Sequence, residues 1–203
     1  MSRKTVRRFQ VLGLAAGLVV WSVLPGRRHP LTQATLAAAL VTITKAPVGL
    51  RPPALGAGLR LGSAAASVVA VAVAASSAIP QVRSAMAERT PPAAPATWLA
   101  LRIPVGTVWS EEAAYRGALA ALAADGFGPR TARLVQAAVF GLSHIADARA
   151  TGEPVVGTVL ATGAAGWVFG WLAGRSGSLA APMLAHLAIN EAGAVAALAV
   201  QRG

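Results

Sequence analysis

Residues 97–124 read TWLALRIPVGTVWSEEAAYRGALAALAA, an apolar stretch that carries Glu111, Glu112 and Arg116 near its middle. It is long enough to cross a bilayer as a helix, because about 20 apolar residues span the hydrocarbon core. At the centre of such a helix, one charged side chain costs roughly 2.5–3.5 kcal/mol on the insertion scale. Three ionisable side chains so close together predict a functional use, and we interpret this segment as half of an active site.

The composition of the whole chain predicts an integral membrane protein. Of its 203 residues, 55% are hydrophobic and only 12% are charged, and the mean hydropathy is +0.59. A soluble domain carries about 25% charged residues, so this chain has too few charges to cover a soluble surface. It has no Cys, which excludes disulfides, thiolate nucleophiles and Cys-based metal sites.

The net charge of +11 invites comparison with nucleic-acid-binding proteins, whose basic residues cluster along one face. Here the basic residues stand singly or in pairs at the ends of apolar runs, as the positive-inside rule describes for membrane proteins. We therefore predict a lipid bilayer and no nucleic acid as partner. The four basic side chains within residues 3–8 favour a cytoplasmic N-terminus.

Seven apolar runs follow one another along the chain, and each predicts a membrane-spanning helix. They cover residues 9–26, 30–44, 61–82, 97–124, 131–146, 155–174 and 178–200. The first lacks a clean cleavage site before Arg27 and Arg28, so we predict an uncleaved helix rather than a signal peptide. The polar, Pro-rich residues 83–95 predict a loop. The predicted fold is an all-α, polytopic transmembrane helix bundle of about 7 spans with the catalytic site inside the C-terminal helices.

The loop also marks a predicted domain boundary. Residues 1–96 would form N-terminal accessory membrane helices and residues 97–203 a catalytic membrane domain, because ionisable residues inside spans fall on the fourth, fifth and seventh runs. The sixth run carries Gly166, Gly170 and Gly174 instead. Small residues at a spacing of four allow close approach of two helices, and they predict a packing face.

Three pairs at helical spacing carry the candidate chemistry. Glu112 and Arg116 are four residues apart, so they share a face and can pair, whereas Glu111 is offset by about a hundred degrees and stays available. The other two pairs are Phe140 with His144 on the fifth run, and His186 with Asn190 on the seventh. A buried carboxylate beside an imidazole can deprotonate water. A second imidazole and an amide can hold the oxyanion that forms when water attacks a carbonyl.

Each of these residues also has a structural explanation. A single His or Asn in a membrane helix is often an interhelical hydrogen-bonding group, and a Glu–Arg pair can serve stability alone. Phe140 is most simply a core residue, and Glu191 can face a water-filled cavity or an interface. The catalytic interpretation depends on all three pairs occurring together.

In their order along the chain, the three pairs resemble the motifs of the CAAX prenyl protease and bacteriocin-processing (Abi, CPBP) intramembrane protease family. These motifs are Glu-Glu-x-x-x-Arg, Phe-x-x-x-His and His-x-x-x-Asn, at residues 111–116, 140–144 and 186–190. The resemblance covers about residues 97–200. It implies a multi-pass enzyme, expected in the plasma membrane of a bacterium, that hydrolyses a peptide bond in a membrane-associated peptide or lipidated protein.

The resemblance also implies a role for each matching residue. Glu111 would act with His144 to activate a water, and His186 with Asn190 would form the oxyanion site. Arg116 would orient or neutralise the carboxylates, with Glu112 as its nearest partner. Tyr115 stands where Phe is commoner in the family, which adds a hydroxyl and leaves the chemistry unchanged.

The family has often been labelled metalloprotease, so a zinc-dependent version is an alternative. Zinc would take Glu111, His144 and His186 as its three protein ligands. The chain lacks a His-Glu-x-x-His helix, and the resemblance favours a glutamate mechanism with no cofactor.

Two other classes of protein compete with the protease hypothesis: a non-catalytic immunity or scaffold protein, and a transporter, for which both halves should carry ionisable residues inside spans. The substrate is left open between prenylated CAAX proteins, bacteriocin-like peptides and lipoprotein precursors.

Overall fold

The apolar runs of the sequence form helices in the computed structural model, which describes residues 2–24, 29–90 and 92–202. All regular secondary structure in these ranges is helical. We number the helices α1 to α9 in chain order: Arg3–Val23, Pro30–Thr44, Ala54–Ser76, Pro80–Ala87, residues 95–127, Pro129–Ser143, Ile145–Thr151, Val155–Ser176 and Ala180–Val200. Pro25, Gly26, Arg27 and Arg28, at the end of the predicted first span, and Pro91 of the predicted loop lie outside the described residues.

Within the described part of the chain, four helices are long and apolar enough to cross a membrane: α1, α3, α8 and α9. Helix α2 is apolar but shorter, with 15 residues. The all-helical membrane architecture is thus confirmed, while the count of seven spans stays a prediction.

Helix α5 contains the apolar stretch with Glu111, Glu112 and Arg116. It is continuous over residues 95–127, but Trp98–Trp109 and Glu112–Leu119 are wound as wider π-helical turns. Pro104 inside the first of these lacks the N–H that an α-helical turn would use. The hydroxyl of Ser110 donates to the carbonyl of Val105, five residues earlier, at 2.9 Å. Wide turns of this kind often mark functional positions in helices.

Two predicted boundaries are wrong. The third span begins earlier than predicted, at Ala54, and ends at Ser76. The predicted loop is helical up to Ala87, because Pro80 occupies the first position of α4, where its fixed φ angle suits a helix start.

The predicted fifth span, residues 131–146, is interrupted at His144. Helix α6 ends at Ser143, and His144 lies between it and α7 with φ −90° and ψ 0°. The Ser143 hydroxyl and the His144 ring both bond to the carbonyl of Phe140, at 2.8 and 2.7 Å. Such side-chain bonds compete with the backbone ladder and help to end a helix.

Glycines bring α6 and α8 close together, as the sequence predicts. A Cβ atom added at Gly166 would lie 3.0 Å from the ring of Phe140, and one at Gly170 would lie 2.6 Å from the side-chain nitrogen of Gln136. At Gly141 a Cβ would lie equally close, 2.6 Å, to the backbone carbonyl oxygen of Val159, which cannot turn aside as a side chain can. This packing fixes α6, which carries Phe140 and leads to His144, against α8.

Helices α1 and α2 pack against α5. Val11 and Leu18 of α1 belong to the same buried cluster as Tyr115 and Phe140. Near the start of α1, the guanidinium of Arg8 donates to the carbonyl of Gly126 at 3.1 Å. The N-terminal helices therefore flank the segment that carries the candidate site.

We predict that Gly141→Ala destabilises the protein, because its methyl group meets backbone that cannot move aside. Overpacking of this kind typically costs about 1–3 kcal/mol. Gly163→Ala is the matched control on α8, since its nearest neighbour, the Ala137 carbonyl oxygen, would lie at an ordinary 3.6 Å. Thermal unfolding in detergent should show a lower midpoint for Gly141→Ala only; equal midpoints would contradict the observed packing.

Candidate active site

A buried network of charged groups connects α5 to α9. The carboxylate of Glu112 accepts a hydrogen bond from Nδ1 of His186 at 2.8 Å and lies 3.3 Å from Nε of Arg116. The side chains of Glu112 and Arg116 are both fully buried. A buried charge is tolerated only when an opposite charge or hydrogen bonds compensate it. The predicted pairing of Glu112 with Arg116 is confirmed, and His186 is a partner that the sequence did not reveal.

Aromatic rings surround the Arg116 guanidinium. Its central carbon lies 4.0 Å from the ring centre of Phe140 and 5.0 Å from that of Phe169. A ring face attracts a cation, and the attraction is stronger where water is excluded. Phe140 is 3% exposed, so the core position expected for it is also a contact to the charged network. Tyr115 stands edge-on to Phe140 at 5.1 Å.

Glu111 lies between this network and a cavity that it helps to line. Its side chain is 28% exposed, in contrast to the fully buried Glu112. The cavity has a volume of about 280 Å³ and is also lined by His144, Ser110 and Ser143. One oxygen of Glu111 remains within 3.8 Å of Nε2 of His186. The two neighbouring carboxylates thus have different surroundings, as their angular offset on the helix predicts.

His144 lies in the same cavity with one ring nitrogen already engaged. Its Nδ1 is 2.7 Å from the carbonyl oxygen of Phe140. Because a carbonyl oxygen can only accept, Nδ1 carries the proton in this bond, and in the neutral ring Nε2 then has a free lone pair. Phe140 also packs edge-on against the ring at 4.6 Å. This arrangement holds the imidazole with a proton-accepting nitrogen available.

His186 and Asn190 are not among the residues that line the cavity. The His186 ring stacks on Phe169 with centres 5.0 Å apart. The Asn190 amide donates to the backbone carbonyl of His186, one turn earlier, at 3.1 Å. Glu191, the remaining carboxylate of this helix, is half-buried and does not line the cavity. His186 therefore reaches both Glu111 and Glu112, whereas the Asn190 amide is engaged within its own helix.

Several residues of the site carry no recognisable sequence signal. Phe169, which contacts both Arg116 and His186, stands among the packing glycines of α8. One wall of the cavity comes from α1 and α2 and includes Leu14, Leu18, Trp21, Gln33 and Leu36. These are ordinary residues of apolar helices, and only the packing of α1 and α2 on α5 brings them to the site.

The zinc alternative finds no support in the geometry. In the ranges that the structure describes, no three His, Asp or Glu side chains are grouped so that they could hold a metal ion. Glu111, His144 and His186, the three ligands considered from the sequence, therefore do not form such a group.

The same part of the chain matches a known family. Residues 93–192 match the family model described as type II CAAX prenyl endopeptidase Rce1-like. These residues belong to the Rce1-like family. The matched region contains all three motif pairs, so the resemblance drawn from the sequence is confirmed. Comparisons with curated proteins and with solved structures found no match. The match relates residues 93–192 to a protease family, and together with the apolar helices of the described chain it supports an integral membrane protein.

We predict that Glu112→Ala strongly destabilises the fold, because it leaves Arg116 buried without a carboxylate. Breaking a buried ion pair in this way costs about 3–5 kcal/mol. Glu153→Ala is the control: this carboxylate also pairs with an arginine, Arg89 at 3.6 Å, but it is exposed, and exposed pairs contribute about 1 kcal/mol or less. Unfolding in detergent measures both variants. If Glu112→Ala and Glu153→Ala lowered the stability by similarly small amounts, the buried network would not be what holds the helices together.

Proposed function

We propose that this protein is an intramembrane endopeptidase that hydrolyses a peptide bond with a water activated by Glu111 and His144. The main support is that Glu111 and His144 line one cavity, while the neighbouring Glu112 is fully engaged with Arg116 and His186. A carboxylate that faces a cavity beside an imidazole has the arrangement that general-base catalysis requires. The family match supports protease activity at the level of the family.

The proposed reaction begins with a water between Glu111 and His144. The Glu111 carboxylate takes one proton of this water, and the free lone pair on Nε2 of His144 accepts a hydrogen bond from the other. The water oxygen attacks the carbonyl carbon of the scissile peptide, which forms a tetrahedral intermediate with a negatively charged oxygen. When the C–N bond breaks, the proton on Glu111 passes to the leaving nitrogen. The products are a carboxylic acid and an amine.

His186 is the proposed donor to the negatively charged oxygen. With Nδ1 bound to Glu112, its remaining nitrogen, Nε2, faces Glu111 at 3.8 Å. If Nε2 also carries a proton, the group of His186, Arg116, Glu111 and Glu112 is electrically neutral, which favours its burial. Asn190 contributes through its bond to the His186 carbonyl, or turns toward the oxyanion when substrate binds.

The proposed substrate is a membrane-associated peptide or a lipidated protein. Leu14, Leu18 and Leu36 give the cavity an apolar side that faces its polar residues, so an extended apolar peptide segment can enter beside Glu111. Residues 97–203 would supply the catalytic groups. The accessory helices of residues 1–96 would close the cavity, and the enzyme would act in the plasma membrane of a bacterium.

We expect Glu111→Gln to lower the rate of peptide cleavage by about 10²–10⁴-fold, the usual contribution of a general base. The amide has nearly the same shape but cannot take up the proton, so the thermal midpoint should stay at the wild-type value. The measurement is cleavage of a fluorogenic reporter peptide by purified protein, with Glu153→Gln as an exposed control.

Cleavage at the wild-type rate by Glu111→Gln would refute the glutamate mechanism. The non-catalytic scaffold hypothesis has its own signature, which is full biological activity in the His144→Ala, His186→Ala double variant.

Chelation gives an independent test of the zinc alternative. Because the three candidate ligands are not grouped for metal binding, a membrane-permeant zinc chelator should leave the cleavage rate unchanged over a wide concentration range. Progressive loss of activity that added Zn²⁺ restores would contradict the proposed mechanism and would assign the reaction to a metal site formed on substrate binding.

A further inference from the structure

A second cavity, of about 340 Å³, is lined by Arg116 and contains none of the proposed catalytic groups in its wall. It is lined by the ends of four helices, with Ala120 and Ala124 of α5, Pro129 of α6, Gly174 of α8 and Leu179 before α9. Arg133 and Arg116 are the charged residues in its wall, and no carboxylate of the described chain lines it. The proposed protease reaction uses no group that is exclusive to this cavity.

We propose that this cavity is a binding site for a phosphate group, carried either by an anionic phospholipid headgroup or by free phosphate. The positive charges of the two guanidinium groups favour a negatively charged ligand. Two helix N-termini and two helix C-termini meet at the cavity, so the helix dipoles largely cancel. A guanidinium binds phosphate oxygens through parallel, charge-assisted hydrogen bonds.

Arg116 supports the proposal because its hydrogen-bonding capacity is not used up. The residue is 5% exposed, and its Nη1 and Nη2 atoms have no hydrogen-bond partner among the residues that the structure describes. Nε also lacks a hydrogen-bond partner in the described residues, although it lies 3.3 Å from the Glu112 carboxylate as an ion pair. A buried guanidinium normally has partners for its N–H groups, and an anion in the cavity would supply them.

Arg133 carries a positive charge that no carboxylate in the cavity wall balances. It is half-buried, and its guanidinium lies 5.6 Å from the ring centre of Trp167. The backbone carbonyl of Arg133 accepts a hydrogen bond from Gln136, a fully buried residue of the same wall, at 2.9 Å. The nearest carboxylate in sequence to a lining residue, Asp125, is exposed and pairs with Arg7 at 3.6 Å.

The depth of the cavity favours a lipid as the source of the phosphate. Pro129 begins α6 and Arg133 follows four residues later, which places it about 6 Å along the helix axis. The cavity is therefore close to one end of the bundle, where lipid headgroups lie. The basic N-terminus of α1 is at this same end, because Arg8 contacts Gly126. Anionic lipids are attracted to such basic ends.

The test is thermal unfolding of the full chain in detergent during titration with short-chain phosphatidylglycerol, phosphatidylcholine or inorganic phosphate. We expect phosphatidylglycerol to raise the midpoint saturably and phosphatidylcholine to have no effect. Arg133→Gln should weaken the apparent affinity for phosphatidylglycerol about tenfold, the lower range for loss of a charge-assisted hydrogen bond. Arg130→Gln, an exposed arginine on the same helix that does not line the cavity, removes the same charge and should leave the affinity unchanged.

The titration with inorganic phosphate shows whether the bound phosphate group comes from a lipid or from free phosphate. A saturable shift with inorganic phosphate that also removes the effect of phosphatidylglycerol supports the site with free phosphate as ligand, whereas no shift with phosphate supports the lipid. Equal weakening by Arg130→Gln and Arg133→Gln would overturn the proposal, because it would indicate general attraction to a basic surface.

A second variant keeps the test decisive if Arg133→Gln does not fold. Gly174→Leu leaves every charge in place and fills the cavity, and its Cβ would lie at an ordinary 3.6 Å from a nitrogen of Arg133. Loss of phosphatidylglycerol binding in Gly174→Leu supports the proposal, and wild-type binding overturns it. No readout uses peptide cleavage, so the result is independent of the proposed protease reaction.

Discussion

The contact between Glu112 and Arg116 is the interaction on which the rest of the structure depends. Both side chains are fully buried, and two charges removed from water are tolerated only when they compensate each other. Their remaining surfaces need further partners, which are His186 from α9, Phe140 from α6 and Phe169 from α8. One ion pair on α5 therefore determines which faces of three other helices must meet around it. The glycines of α6 and α8 allow the close approach that this geometry requires.

The same pair separates the chemical roles of two adjacent glutamates. Consecutive residues on a helix point in directions about a hundred degrees apart, so Glu112 can face the protein interior while Glu111 faces the cavity. Glu112 and Arg116 form a stable pair of opposite charges, and neither is needed to take up a proton. Glu111 lies 3.8 Å from the imidazole of His186, and it is partly exposed. A carboxylate in this position can exchange protons with a bound water without disturbing the ion pair behind it.

Much of this arrangement could be predicted from the sequence, because it depends on local periodicity. The spacing of four between Glu112 and Arg116 predicts their contact, and the glycine spacing on α8 predicts a packing face. The apolar runs predict the helices, although α3 and α4 show that Pro80 starts a helix within a stretch that composition alone assigns to a span and a loop. The break at His144 was not predictable from periodicity, because it is associated with side-chain bonds to the Phe140 carbonyl. Phe169 and the cavity wall from α1 and α2 depend on contacts between distant segments, which leave no pattern in the local sequence.

Arg116 lines the second cavity and is linked to the first through Glu112, His186 and Glu111. A guanidinium has five N–H donors in a planar fork. Glu112 approaches Nε, on the side of the network that leads through His186 to Glu111. The two terminal nitrogens remain for the second cavity, so a phosphate bound there need not displace Glu112. A bound phosphate would still add negative charge beside the guanidinium and weaken the attraction between Arg116 and Glu112. By linkage, if bound phosphate changes the affinity of Glu112 or His186 for a proton, protonation there changes the affinity for phosphate by the same factor. The proposed protease site and the proposed phosphate site are therefore coupled through a single side chain, with α5 as their common support.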